Sequence, residues 1–358
     1  MIFDQLQSGG CVSYLLGCER SGAGVIVDPS LDLADRYAAA ASAHGLRIWH
    51  LIDTHTHADH FSAARILAPR LGAAVVMQRA SPAPFVDVRV RDGETIVVGD
   101  LHIRVLHTPG HSADSMCLVF PDRVLTGDTL MLGSVGRTDL PTGDAAALYD
   151  SLFGHLLTLD PELVVYPAHN YGALRATTLG EQRGSNPRLA DTDRDRFIDR
   201  AKSVDLKLPD HLTEALRINC SGAKPVSELI REAARSISFI PLDALQARIE
   251  AGGEGFVILD VREAEAFRAG HVPGARHIPR GQLELVADGA FPDPDVQIVT
   301  YCEFGKISTL AAATLRSMGF ASAVALDGGF RDWVAVGYPI EGERSTTQGG
   351  TSEWKATC

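Results

Sequence analysis

Thr54-His55-Thr56-His57-Ala58-Asp59-His60 follows, after the single residue Asp53, on the apolar stretch Ile48-Trp49-His50-Leu51-Ile52. Three imidazoles and a carboxylate therefore fall within seven positions, just past what reads as a buried strand. Both groups are common ligands of borderline divalent metals. In an extended chain residues 55, 57 and 59 project the same way, so the run can aim several donors at one spot. A histidine-rich polar turn would account for one or two of these residues, not for all of them together. The run is read as a metal site; the kind and number of ions it leaves open.

The same arrangement recurs downstream. Apolar segments 101–106, 123–126 and 163–166 each lead into a loop carrying His or Asp: His107-Thr108-Pro109-Gly110-His111, Thr126-Gly127-Asp128 and Pro167-Ala168-His169-Asn170-Tyr171. Loops at strand ends are where α/β folds place chemistry. Short strands are expected at 11–16, 23–28, 47–53, 73–78, 115–120 and 123–126, with a hairpin of 94–98 and 101–106 about Gly99-Asp100. Helices are expected at 31–44, 60–72 and 143–158. Residues 183–236 are more polar, punctuated by Pro187, Pro209 and Pro225, and read as an extension and linker.

The 358 residues are too many for one ordinary core. An apolar fraction of 45% and a charged fraction of 22% describe a soluble globular chain. No apolar run is long enough to span a bilayer. The start, Met1-Ile2-Phe3-Asp4-Gln5, lacks the features of a secretion signal, so a cytoplasmic location and no membrane partner are expected. A net charge of −12 argues against nucleic acid. The six cysteines are scattered and form no Cys-x-x-Cys pair; all but Cys302 are read as small buried hydrophobes.

Taken together, the His-x-His-x-Asp-His run, His111, Asp128 and His169 resemble the ligand order of the metallo-β-lactamase fold, over about residues 1–220. The resemblance implies two mixed sheets sandwiched between helices, with the metal at one edge. Gly127-Asp128-Thr129-Leu130, Gly136-Arg137-Thr138-Asp139, Pro167–Tyr171 and Asn186-Pro187-Arg188-Leu189 resemble the persulfide dioxygenases among such proteins. That likeness implies one Fe(II) per chain held by His55, His111 and Asp128. His57, Asp59, His60 and His169 would then surround the ligands without touching the ion. Two imidazoles and a carboxylate on one face of iron leave positions open for substrate and O₂. Arg137 is a candidate for steadying an anionic substrate group and Tyr171 for a hydrogen bond near the metal. Val135 stands where some members of that family carry a cysteine. The other reading of the same donors is a glyoxalase II-like thioesterase with two zinc ions, fused to a sulfurtransferase.

Residues 237–342 resemble a rhodanese domain. The match rests on Leu259-Asp260-Val261-Arg262-Glu263, Gly270-His271-Val272-Pro273-Gly274-Ala275, Cys302-Glu303-Phe304-Gly305-Lys306-Ile307-Ser308, and Leu326-Asp327-Gly328-Gly329-Phe330 with Trp333. It implies a doubly wound, mostly parallel sheet. Independently of the family, Cys302 ends a strand (296–301) and precedes an Ala-rich helix (307–318). Backbone N–H groups and a helix N-terminus can therefore stabilise a thiolate or persulfide there. Glu303, Phe304, Gly305, Lys306, Ile307 and Ser308 form that cradle; Asp260 and Arg262 are read as bracing it, and His271 and His277 as structural. The loop departs from the arginine-rich rhodanese pattern, with Glu303 next to the nucleophile.

The chain is thus divided into 1–236, a dioxygenase-like domain with its linker, 237–342, the rhodanese domain, and a polar tail, 343–358. The pairing implies oxidation of glutathione persulfide by O₂ and water to glutathione and sulfite. It also implies sulfur transfer at Cys302 involving thiosulfate or sulfite and glutathione. The sequence is compatible with a homo-oligomer.

Overall fold

The computed structural model describes residues 1–171, 175–203, 207–252 and 255–342; the polar tail lies outside the described residues. The chain forms two compact units, Met1–Ala223 and Lys224–Cys358.

In the first unit, strands Ile2–Ser8, Cys11–Cys18 and Ala23–Val27 run antiparallel to one another, and Arg47–Ile52, Ala74–Gln78 and Val88–Val90 then add in parallel, completing a six-stranded sheet. A second sheet has the order Val164–Pro167, Arg123–Gly127, Met116–Val119, Leu101–His107, Thr95–Val98. Alternation along the strands makes the layers. Tyr14, Leu16, Val25 and Val27 face Ile103, Val105, Met116 and Leu118 between the sheets. Leu15, Ile26, Leu51 and Val75 point outward under Tyr37 and Leu67 of the helices Ala34–Ala43 and Ala64–Leu71. On the far side Cys117, Val124 and Val165 pack beneath Leu148, Leu152, Leu156 and Phe197. The result is the helix–sheet–sheet–helix sandwich expected above.

The second unit holds a five-stranded sheet ordered Phe239–Ile240, Val324–Leu326, Gln297–Tyr301, Phe256–Asp260, Arg276–His277, with every pair parallel. Helices cover both faces. Leu283, Ala311 and Leu315 pack on one side, Leu245 and Trp333 on the other. This is the doubly wound arrangement.

The stretch 183–236 is not a plain linker. It carries the helices Arg194–Lys202, Leu212–Ser221 and Val226–Ser236. Pro225 sits at the N-terminal boundary of the last of these, a place where proline's fixed φ starts a helix instead of breaking one. Each helix buries only a narrow apolar stripe, such as Phe197 or Ala215 and Ile218, so the segment's polar composition conceals them. Val226–Ser236 packs against Lys306–Ser317 and goes with the second unit. The boundary thus falls at 223/224, ahead of the position read from sequence.

Candidate metal centre and active cysteine

The first site forms where strands of both sheets end. Asp28 follows Ala23–Val27 and adopts φ +50°, alone among the described non-glycine residues in the left-handed region. Aspartate tolerates that conformation better than most residues. Its carboxylate accepts from the Thr54 backbone N–H at 2.7 Å and from Thr54 Oγ1 at 3.0 Å. With its proton committed to Asp28, Thr54 Oγ1 accepts from His55 Nδ1 3.0 Å away. His55 Nε2 therefore keeps its lone pair, and it is buried with no hydrogen-bond partner. A bare buried acceptor costs about 1–3 kcal/mol, which a bound cation would offset.

His111 is set in the same way from the other sheet. Its Nδ1 donates to the Arg137 carbonyl at 2.9 Å, and its Nε2 lies 3.5 Å from Asp128 Oδ2. His55 Nε2 is 4.0 Å from the same oxygen. One donor atom from each of the three residues lies within 4.8 Å of the others, as required of ligands each about 2 Å from a common ion. Burial, reinforced by His57, drives His55 well below its ordinary pKa, so the ring is neutral near pH 7. Burial opposes ionisation of Asp128, but His169, His111 and His55 outweigh it and hold the carboxyl well below the usual range. The donor set therefore fits a divalent cation, and its two imidazoles and one carboxylate match the set that non-haem iron takes.

The neighbouring groups are only partly engaged: His57 Nδ1 and Nε2 and His60 Nε2 are, like His55 Nε2, buried without a hydrogen-bond partner, and Cys11, Asp59 and His60 form a second cluster of potential metal donors. His57 Nε2 lies 3.3 Å from Asp28 Oδ1 and 3.6 Å from Asp53 Oδ1; against the cost of burial, these carboxylates raise its pKa well above normal. His169 bridges two acids, Nδ1 to Asp128 Oδ1 at 2.7 Å and Nε2 to Asp59 Oδ2 at 2.8 Å. Both of its nitrogens are thus occupied. Asp59 Oδ1 sits 3.2 Å from His60 Nδ1.

Two residues here escaped the sequence reading. Cys11 pairs with His169 in an isolated antiparallel bridge. Its Sγ lies 3.3 Å from Asp59 Oδ2, 3.4 Å from His169 Nε2 and 3.7 Å from His60 Nδ1. Burial raises its pKa, and the hydrogen bonds with His169 and His60 more than reverse that. Asn219, on the helix Leu212–Ser221, donates to the carbonyls of His57 and His60 at 2.8 and 2.9 Å and accepts from Ser62 N–H at 3.1 Å. It pins the histidine loop from outside both sheets.

A cavity of about 450 Å³ opens on the site, lined among others by Asp59, His111, Asp128, Arg137, His169 and Tyr171. That size suits a small organic substrate. The Arg137 guanidinium forks onto Asp139 at 2.7 and 2.6 Å, so its charge is partnered within the chain. Tyr171 stacks on His169, centroids 5.3 Å apart, in the space a side chain on Gly10 would take.

In the second unit Cys302 is buried at the end of Gln297–Tyr301. The Ser308 backbone N–H points at its Sγ from 3.3 Å and Ser308 Oγ from 3.5 Å, within the first turn of Lys306–Ser317. Gly305 makes the turn at φ +77°, where a Cβ would strike the Gly328 carbonyl. Arg262 is held by Asp260 at 2.7 Å and by the Gly270 carbonyl at 2.6 Å, and reaches Glu303 at 3.1 Å. Ser308 thus lies against the thiol of Cys302, and Arg262, held by Asp260, reaches Glu303 beside it.

Residues 7–169 match the metallo-beta-lactamase superfamily, and residues 242–336 match the rhodanese-like domain. The mitochondrial persulfide dioxygenase ETHE1 of Bos taurus is 34% identical over 210 residues, covering 58% of this chain and 82% of that protein. A hydroxyacylglutathione hydrolase of Anaeromyxobacter dehalogenans is 37% identical over 175 residues, or 48% of this chain and 67% of its own length. The crystal structure of ETHE1 from Myxococcus xanthus superposes with a TM-score of 0.60 at 39% identity, covering 62% of this chain and 98% of that one.

Proposed function

From the premise that this chain belongs to the persulfide dioxygenases of the metallo-β-lactamase superfamily and carries a rhodanese-like domain behind them, we propose that its first unit oxidises glutathione persulfide. O₂ and water would be consumed, and glutathione and sulfite formed. Raising sulfane sulfur to the level of sulfite releases four electrons, the number O₂ accepts, so no further reductant is needed. One Fe(II) would be held by His55, His111 and Asp128. When bound, it supplies a redox-active centre with positions free of protein donors.

The chain's own residues then have definite tasks. Asp28 and Thr54 fix the His55 tautomer; the Arg137 carbonyl fixes that of His111. His169 and Asp59 hold a charged hydrogen-bond network beside Asp128. Arg137 and Tyr171 line the cavity the persulfide would enter.

The observation that carries this reading is the buried, unpartnered Nε2 of His55, in a neutral ring, beside His111 and Asp128. The dinuclear thioesterase reading, which the Anaeromyxobacter relative favours, would need His169 to give up one of its two carboxylate partners. Anaerobic loading with Fe(II), followed by O₂ uptake with glutathione persulfide, tests the proposal. About two zinc ions per chain and no O₂ uptake would sink it.

The second unit would move sulfane sulfur through a persulfide on Cys302, between thiosulfate or sulfite and glutathione. A sulfurtransferase handles both the substrate and the product of a persulfide dioxygenase; a thioesterase has no such use for it.

A further inference from the structure

Resting on the sulfurtransferase reading of the second unit, we infer that Glu303 is a specificity residue: it slows sulfur exchange with thiosulfate and sulfite and favours persulfides carried by organic thiols.

The charges beside Cys302 support this. Arg262 is the buried cation of this site, and its guanidinium is already committed. Its Nε lies 3.1 Å from both Asp260 oxygens. Its Nη2 donates to Asp260 Oδ2 and to the Gly270 carbonyl, and its Nη1 to Glu303 Oε2. The Phe330 ring lies 4.0 Å from its centre. Asp260 is fully buried and cancels the charge of Arg262. Glu303 then adds a negative charge, 44% exposed, on the residue next to the nucleophile. The triad carries a net charge of −1.

The rim outside this triad is of a different character. Phe304 is 59% and Ile307 49% exposed. Lys306 is exposed at the helix start, and the Arg331 guanidinium lies 5.7 Å from the centre of the Phe304 ring.

The donors differ in where they carry charge. Thiosulfate has both negative charges within two bonds of the sulfur that moves. The Cys302 thiolate attacks the outer sulfur, a Cys302–sulfur bond forms, the bond to the sulfonate sulfur breaks, and sulfite leaves with its electron pair as a dianion. That charge comes and goes beside Glu303, the residue next to Cys302. An organic persulfide R–S–SH brings methylene groups to the site, which suit Phe304 and Ile307. Its thiol leaves as R–SH with the proton, and any carboxylates lie several bonds away from the sulfur that moves. Like-charge repulsion thus falls on one donor class alone.

The test uses the full-length chain with cyanide as common acceptor, thiocyanate as readout, and thiosulfate or glutathione persulfide as donor. Glu303→Gln is expected to raise kcat/KM for thiosulfate about tenfold and to change that for glutathione persulfide by less than about twofold. Glu303→Asp, which keeps the charge, should hold the wild-type ratio, and added salt should narrow the wild-type gap. An unchanged donor ratio in Glu303→Gln, or equal movement of both donors, overturns the inference and leaves Glu303 as a brace of the loop. Cys302→Ser must abolish transfer from both. A wild-type chain without Cys302-dependent transfer overturns the sulfurtransferase reading itself, and this inference with it.

Discussion

At the metal centre the donors arrive on loops spread between residues 55 and 169, from two sheets, and the hydrogen bonds that aim them run, directly or through Thr54, to partners distant in sequence. At the cysteine site Cys302 and the hydrogen-bond donors that face its thiol lie within residues 302–308, on one strand-to-helix turn. Both places lie at the ends of strands, yet the first is a product of the whole sandwich and the second mostly of local sequence. A distributed site should be fragile toward changes far from the chemistry. A local one should be fragile only at its loop and the brace beneath it.

The largest expected effect breaks each site separately. His55→Ala or Asp128→Ala should lower iron affinity by more than about 100-fold, read by metal content after dialysis, and abolish O₂ uptake with glutathione persulfide. Cys302→Ser should abolish sulfur transfer while leaving iron content and O₂ uptake at wild-type values. Loss of iron in the Cys302→Ser protein would show that the two sites are not independent.

A smaller effect tests distribution directly. Asp28→Asn keeps an acceptor for the Thr54 backbone N–H but removes one for Thr54 Oγ1, so the hydrogen-bond chain to His55 Nδ1 must rearrange. Iron affinity by chelator competition should fall about 10- to 100-fold, with sulfur transfer unchanged. Unaltered affinity would reduce Asp28 to a strained turn residue. Asn219→Ala should act on stability more than on chemistry. It strips a buried donor from the His57 and His60 carbonyls and should cost the metal-free protein about 1–3 kcal/mol in urea unfolding.

The same contrast governs what could be read from sequence. The turn that holds the cysteine was the more legible, because Cys302, Gly305 and Ser308 lie on one strand-to-helix turn. The cluster of His55, His111 and Asp128 was also legible, since each follows an apolar strand. The parts that aim them were not. Asp28 reads as the opening of an ordinary Asp-Pro-Ser turn; only the parallel pairing of Ala23–Val27 with Arg47–Ile52 brings it under Thr54. Asn219 reaches the histidine loop from a helix in a stretch whose polarity suggested a linker. Strand Ile2–Ser8 was missed as well, since its half-buried residues show little alternation.

Cys11 is the finest test of the comparison, because sequence classed it with Cys117 as an inert buried thiol. Burial pushes Cys117 up to about 11, which leaves about one molecule in a thousand as thiolate at pH 8. Cys11 is shifted the other way by His169 and His60 and is only partly buried. Iodoacetamide at pH 8, followed by peptide mass analysis, should therefore modify Cys11 well before Cys117. Since Cys11 touches Asp59 and His169, its modification should lower O₂ uptake, whereas thiol labelling of a Cys11→Ser protein at the same reagent dose should not. Equal labelling of Cys11 and Cys117 would mean that the histidine network does not reach the thiol, and would shrink the distributed site to its three donors and their immediate supports.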